Sequence, residues 1–246
     1  MLQKEERLEE FDFLNSKKSF TIGTAMRIVS IDSYIKIYKD FIGGEGYGLE
    51  LGVSSGESIR ALSSLVKKLD AIDGSKAVIQ MQKSVPENVE LKYGLFEEIT
   101  DVEKYDYIFA SYVMEHVIEP KRIIEICYKA LKKGGRMMIT VPNAMGLSRQ
   151  MAVEMGLLNS IYELSENDLR HGHRRVFDPQ QLRALAEGTE FKVLDSGGTF
   201  IKQYADFQLN KMFETEIIGE EQMRGMQLIA KKYPEIASSI YLILEK

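Results

Sequence analysis

Tryptophan is absent from this chain of 246 residues, and cysteine occurs once, at Cys127. A single thiol excludes an internal disulfide and any cysteine-based zinc cluster, and such sparing use of cysteine places the expected compartment in the reducing cytoplasm. Histidine is almost as scarce: His116, His171 and His173 are the three present, so any imidazole chemistry has a short list of candidates. No apolar run reaches the roughly 18 residues of a membrane helix, and no membrane partner is expected. The opening Met1 to Arg7 is charged without an apolar segment behind it, so no secretory signal is expected. Basic residues are not in excess either: 32 Lys and Arg stand against 37 Asp and Glu, a net charge of -5. They occur in pairs rather than stripes, so no nucleic-acid partner is expected, and composition points to a small or phosphorylated metabolite as ligand. Repeats, low-complexity tracts and linkers are missing as well. With 44% hydrophobic residues, one domain over 1–246 can build a full core.

What is present centres on Gly48-Leu49-Glu50-Leu51-Gly52-Val53-Ser54-Ser55-Gly56. An apolar strand ends there in a glycine turn that opens into a helix, expected from Gly56 to Leu69 on the spacing of Ile59, Leu62, Val66 and Leu69, with Ser54 or Ser55 as its cap. A second strand over Leu69 to Ile72 then ends at Asp73. In such a unit the glycines admit close approach of a ligand, and an acid roughly 20 residues on accepts hydrogen bonds from ribose hydroxyls. As a dinucleotide fingerprint the turn is defective, because Ser54 and Glu57 hold the second and third glycine positions. As G-x-S-x-G it matches the nucleophile elbow of serine hydrolases, with Ser54 as nucleophile. That reading lacks its context: one strand precedes the motif, no histidine-glycine oxyanion loop does, and His171 and His173 precede both Asp178 and Asp195. Only an order such as Asp106 then His173 would serve it.

A third reading is carried by Tyr105-Asp106-Tyr107-Ile108-Phe109-Ala110-Ser111-Tyr112-Val113-Met114-Glu115-His116-Val117 and by Leu131-Lys132-Lys133-Gly134-Gly135 running into Met137-Met138-Ile139-Thr140-Val141-Pro142-Asn143. Together with Glu50-Leu51-Gly52, these blocks resemble the class I S-adenosylmethionine-dependent methyltransferases, in particular the small-molecule branch that includes quinone-biosynthesis and sugar methyltransferases. The likeness covers residues 48 to 143 and, more loosely, Arg174 to Pro179. It implies an α/β fold, a doubly wound, seven-stranded Rossmann-like sheet with helical insertions. The strands expected from the sequence are 47–51, 69–72, 89–93, 107–110, 136–141, 191–195 and 239–244. A helical cap over 1–42 precedes the core at 43–143; insertions at 144–178 and 203–236 face the substrate. The second insertion departs from the resembled fold, in which a short loop joins the last two strands. Its apolar Phe207, Leu209, Met212 and Phe213 give it two candidate duties, a lid or the interface of a homodimer.

The resemblance implies S-adenosylmethionine as cofactor. It sets Glu50, Gly52, Val53, Ser54, Ser55 and Gly56 around the amino-acid and ribose portions, with Asp73 and Gly74 on the ribose. Phe96 and Glu97 are the adenine candidates, because Leu95 stands where many relatives carry an aspartate. Ser111 and His116 complete the cofactor side. Tyr112, His171, Arg174 and Arg175 are placed toward the acceptor, the paired arginines suiting an anionic one. Plainer readings stand beside these. Asp73 could cap the helix at Ser75 to Met81, His116 could fix local backbone, and Arg174 and Arg175 could be solvated beside Asp178. His171 and His173 without a committed carboxylate make a poor metal signature, so no metal is expected. The reaction expected is O-methylation of a sugar, nucleotide-sugar or related metabolite, with His173 as general base, since imidazole titrates near neutral pH. The alternative of a different class is a binding or sensing protein that keeps the fold without catalysis.

Overall fold

The computed structural model describes residues 24–246, so the part of the expected helical cap in residues 1–23 lies outside the described residues. The chain runs α1 (Ala25–Lys39), β1 (Tyr47–Leu51), α2 (Glu57–Ser63), β2 (Lys68–Asp73), α3 (Lys76–Met81), β3 (Val89–Tyr93) and β4 (Tyr105–Ser111). It continues α4 (Pro120–Ala130), β5 (Leu131–Pro142), α5 (Leu147–Glu154), α6 (Glu166–His171), α7 (Pro179–Ala184), β6 (Lys192–Gly198), α8 (Asp206–Glu214), α9 (Glu220–Ala230) and β7 (Ser239–Glu245). The seven strands form one sheet in the order β3-β2-β1-β4-β5-β7-β6. β1 to β5 pair in parallel, and β7 inserts antiparallel between β5 and β6. None of the described helices is long and apolar enough to cross a membrane.

Alternation along the strands divides the core into two layers, because successive side chains point to opposite faces. On one face Leu49, Leu51, Ile108, Ala110, Met137 and Ile139 pack with Ile123, Ile124 and Cys127 of α4 and Leu182 of α7. On the other, Leu69, Ala71, Phe109, Met138 and Ile243 meet Tyr34 and Tyr38 of α1, Ile59 and Leu62 of α2, and Val78 of α3. Helices on both faces of a mostly parallel sheet are the doubly wound arrangement, and near-continuous apolar strands such as Met137 to Val141 follow from burial on both sides. A third, smaller cluster joins Met26 and Val29 of α1 to Phe200, Leu209 of α8 and Met223 of α9. The insert therefore packs on the amino-terminal end of α1.

Several boundaries differ from the sequence-based expectation. α2 ends at Ser63 rather than Leu69, since the Leu65 amide closes a turn on the Leu62 carbonyl and β2 starts at Lys68. Val66 and Leu69 still reach the same core from turn and strand, which is why their spacing mimics a helix. Neither Ser54 nor Ser55 caps α2; the cap position is Gly56, which has no side chain to offer. β5 begins earlier than expected, at Leu131. In the insert, Leu209 is buried as its apolar neighbours suggested, but Phe207 is 73% exposed.

Candidate functional site

β1 and β4 are adjacent in space, whereas the chain leaves β1 toward β2 and β3 and leaves β4 toward β5. The crevice beyond the carboxyl ends of strands at such a reversal is where ligands bind in open α/β sheets. The turn after β1 fills one side of it. Gly52, Ser54 and Gly56 all have positive φ, at 79°, 49° and 82°, conformations that a side chain penalises. A Cβ on Gly52 would also come within 3.2 Å of the Val113 side chain. Asp73, at the end of β2, holds this turn: its Oδ2 accepts from the Val53 amide at 2.8 Å and its Oδ1 from the Ser75 amide at 2.8 Å. Ser75, not Asp73, caps α3 through its hydroxyl.

Glu50 lies beneath the turn and is 3% exposed. Its Oε2 has no hydrogen-bond partner. Burial pushes its pKa up to about 8, with a hydrogen bond from Ser58 opposing and the charge of Asp73 adding to the rise. An orphaned buried carboxylate oxygen beside a glycine turn is what a ligand ammonium group would satisfy, so the residues here fit the amino-acid end of S-adenosylmethionine. Past β3, Leu95 is buried, Phe96 packs on the main core and Glu97 stands in the short 3-10 turn Phe96–Glu98.

One residue of this side was not foreseen. Arg27, in the first turn of α1, pairs with Glu57 and binds the hydroxyls of Ser54, at 3.1 Å, and Ser55. Nothing in the local sequence marks it, because its partners are some 30 residues away. The contact also bears on the hydrolase reading: a guanidinium stays protonated and cannot accept a serine proton. The α1 helix is further stitched to the strands by hydroxyls. Tyr38 bonds Ser111 at 2.9 Å and Thr140 at 2.8 Å, while Tyr112 bonds Ser30 at 2.6 Å and Ser239 at 2.8 Å. Tyr112 adopts φ 57° to do so. Burial raises its phenol to about 12, so it is a neutral hydroxyl here.

The other side of the crevice is the turn after β4 joined to the segment after α6. The Arg174 amide donates to the Glu115 carbonyl at 2.8 Å, and Nδ1 of His116 lies 3.2 Å from the Gly172 carbonyl. The arginine pair braces this junction. Nε of Arg174 donates to the His116 carbonyl at 3.0 Å, and Arg175 donates to the carbonyls of Val117, at 2.5 Å, and Ile118, at 3.1 Å. Those groups were expected to face an anion; the fold uses them to satisfy backbone carbonyls left over where the strand ends. His171 is exposed and its Nδ1 stays within its own helix, 2.7 Å from the Asn167 carbonyl.

His173 is brought against His116, their rings edge to face at 4.8 Å. Its Nδ1 is 3.1 Å from Oδ1 of Asp168, off the line of a ring hydrogen bond. Asp168 is anchored by Arg149 at 3.0 Å and by the amide and hydroxyl of Ser165. Burial works to raise its pKa, yet contacts from His173, Ser165 and Arg149 outweigh it and hold the carboxyl well below the usual range. Sequence reading passed over Asp168, although Ser165-x-x-Asp168 is a capping box recognisable from residue types alone. Glu115 completes the group. Its side chain is fully buried, neither oxygen has a hydrogen-bond partner, and burial lifts its pKa to about 7 against the pull of His173.

A cleft of about 690 Å³, lined by Tyr47, Lys68, Asn88 and Lys132, opens at the opposite end of the strands, where β1 to β4 begin. Its charges of both signs pair with each other, as in Lys68 with Glu90 and Lys132 with Asp106, and the strand reversal does not point to it.

Comparison with known proteins agrees with this geometry. Residues 31–196 match the family described as "Methyltransferase domain". Human mitochondrial ubiquinone biosynthesis O-methyltransferase is 30% identical over 114 residues, which are 43% of this chain and 31% of that protein. The Coxiella burnetii ubiquinone biosynthesis O-methyltransferase is 24% identical over 155 residues, 61% of this chain and 65% of that protein. Among solved structures, the Burkholderia thailandensis 1,6-didemethyltoxoflavin-N1-methyltransferase, with bound 1,6-didemethyltoxoflavin and S-adenosylhomocysteine, superposes at a TM-score of 0.64. It is 12% identical and covers 100% of this chain and 91% of its own, a likeness of fold. The chain belongs to the methyltransferase-domain family, and its class is that of the S-adenosylmethionine-dependent methyltransferases with a Rossmann-like sheet. The matched segment spans about a third of the human relative's length.

Two predictions follow from the cofactor side. Glu50 holds a proton in the folded chain up to pH about 8, whereas an unfolded glutamate loses it near pH 4.3. Stability is therefore full below the unfolded value and falls as pH rises through the folded one. Glu50→Gln removes this slope. Between pH 5 and 8.5, chemical denaturation should show wild type losing roughly 3–5 kcal/mol relative to the variant; parallel curves would refute the buried protonated state. Ser54→Gly relieves a left-handed residue at the cost of a more flexible unfolded chain, and stability should stay within about 1 kcal/mol. It should keep S-adenosylhomocysteine binding, and wild-type Ser54 should remain unlabelled by a fluorophosphonate, whereas stoichiometric labelling would revive the hydrolase reading.

Proposed function

We propose that this protein transfers the methyl group of S-adenosylmethionine to a hydroxyl of a small metabolite, in the cytoplasm. The observation that carries the proposal is the pairing, across one crevice, of a glycine turn tied to Asp73 with a cluster of titratable groups at His173. The cofactor supplies an electrophilic methyl bound to sulfur, so the protein's work is binding, alignment and exclusion of water. Glu50 would take the ammonium, Asp73 the ribose hydroxyls, the turn at Gly52, Ser54, Ser55 and Gly56 the surrounding polar atoms, and Phe96 with Glu97 the adenine. Ser111, Val53, Gly74 and His116 line the same space by position.

His173 is the residue through which the acceptor's proton is lost, oriented by Asp168 and wedged against His116. Tyr112 is the acceptor-side residue of β4. A sugar or nucleotide-sugar acceptor rested on Arg174 and Arg175, but both brace the turn. A phenol-type hydroxyl is thereby favoured, in line with relatives named for ubiquinone biosynthesis. The insert at 203–236 acts as a lid by holding α1, and with it Arg27, against the glycine turn. A homodimer would use its outward Phe207 and Ile217.

Calorimetry with S-adenosylhomocysteine tests the cofactor assignment. Asp73→Ala should weaken binding by roughly 1–3 kcal/mol, and no binding to folded wild type would overturn the reading. Against a hydroxyl acceptor, His173→Ala should cut turnover about 100-fold with affinity for the cofactor product unchanged. Binding without transfer to any hydroxyl acceptor would favour the sensing alternative instead.

A further inference from the structure

We propose that Gln82 is a positioning residue of the cofactor turn, holding Ser54 in the left-handed conformation that a glycine would adopt unaided. The inference rests on the reading that the turn at residues 52–56 faces S-adenosylmethionine; the contacts that carry it are independent of that reading.

Ser54 stands at φ 49°, a region that a residue with a Cβ avoids and keeps only where its surroundings over-determine it. Two contacts supply the restraint. The Ser54 hydroxyl accepts from Nη2 of Arg27 at 3.1 Å, and the Ser54 carbonyl accepts from Nε2 of Gln82 at 3.1 Å. The first holds a side chain, whereas the second acts on the backbone itself.

Gln82 follows directly on α3, where its own amide bonds the Ile79 carbonyl at 3.2 Å. Its Nε2 also donates to the Val78 carbonyl at 3.1 Å, so the two donors of one amide group are divided between its helix and the turn. Its Oε1 lies over Gly56: a Cβ on that glycine would come within 2.0 Å of it. The bare Cα of Gly56 thus makes room for Gln82, a second reason for glycine there besides its φ of 82°. Ser54 and Gln82 are 28 positions apart, and no local spacing joins them.

The consequence for the cofactor lies one residue on. In a trans peptide the N–H points opposite to the preceding C=O, so a Ser54 carbonyl turned to Gln82 aims the Ser55 amide away from it. A fixed peptide plane offers that donor in one direction, and a loop ordered before binding loses less entropy on binding. Through the Val78 bond alone, Gln82 would merely close its own helix. The two roles separate because only the first depends on residue 54 having a Cβ: glycine takes positive φ without penalty, and in a Ser54→Gly chain Gln82 has less to hold.

The test is a double-mutant cycle on the full chain, with S-adenosylhomocysteine affinity read by calorimetry. Gln82→Met keeps the length and removes the donors; it should weaken binding about 5-fold, in the range of one lost hydrogen bond. In the Ser54→Gly background the same change should cost less than about 2-fold, the non-additivity of two residues in contact. Thermal melts establish that each protein is folded; should Gln82→Met not be, Gln82→Glu, which also lacks the donors, takes its place. Unchanged affinity in the Gln82 variant, or an equal or larger loss in the Ser54→Gly background, overturns the positioning role, and binding by wild type then leaves the cofactor reading standing. No binding by folded wild type removes both.

Discussion

The hydrogen bond from the Val53 amide to Asp73, 2.8 Å long, ties the end of β1 to the end of β2 at the point where the chain must reverse sharply. Three residues of that turn take positive φ; the Gly52 amide bonds the Ile72 carbonyl and the Gly56 amide the Val53 carbonyl, so the Val53 amide is the one that needs a side-chain acceptor. Without a carboxylate to accept from it, the turn would leave a donor unsatisfied over the crevice. Because β1 sits centrally in the sheet, the position of this turn also decides where the helix α2 starts and how closely Val113, from the turn after β4, can approach Gly52. The cofactor side and the acceptor side thus share one mechanical origin.

Two buried carboxylates flank that origin, and burial acts on both in the same way. Glu50 and Glu115 are both pushed up toward neutrality by burial, a penalty that packing elsewhere must offset. The two core layers on either face of the sheet supply that margin. Asp168 shows the contrary case: also buried, it is kept ionised because donors surround it. Partners therefore decide which buried acid is poised to receive something and which merely positions a neighbour.

The second half of the chain adds structure around the site without altering the sheet. β7 runs antiparallel between β5 and β6, and the residues between the last two strands form α8 and α9, which bury Leu209 and Met223 against α1. That packing fixes the amino-terminal turn of α1, and hence Arg27, over Ser54 and Ser55. The start of α1, where the Met26 amide bonds the Asn210 side chain, is held in place by an insert contributed from about 180 residues later in the chain.

Local patterns determined much of this protein: seven strands near their observed positions, the glycine turn, the acid after β2 and the order of elements that implies a doubly wound sheet. Those features depend on periodicity and turn chemistry within a few residues, which a sequence displays directly. Tertiary structure alone decided the rest. The helix after Gly56 was overread because Val66 and Leu69 serve the same core from a turn and a strand. Arg174 and Arg175 were read as anion holders, but the neighbours that claim them, the carbonyls of residues 116–118, are nearly 60 positions away. Arg27, Asp168 and the meeting of Glu115 with His173 arise from contacts between distant segments. Such pairings are set by how strands are ordered and how loops return to their ends, and no local spacing in the chain encodes them.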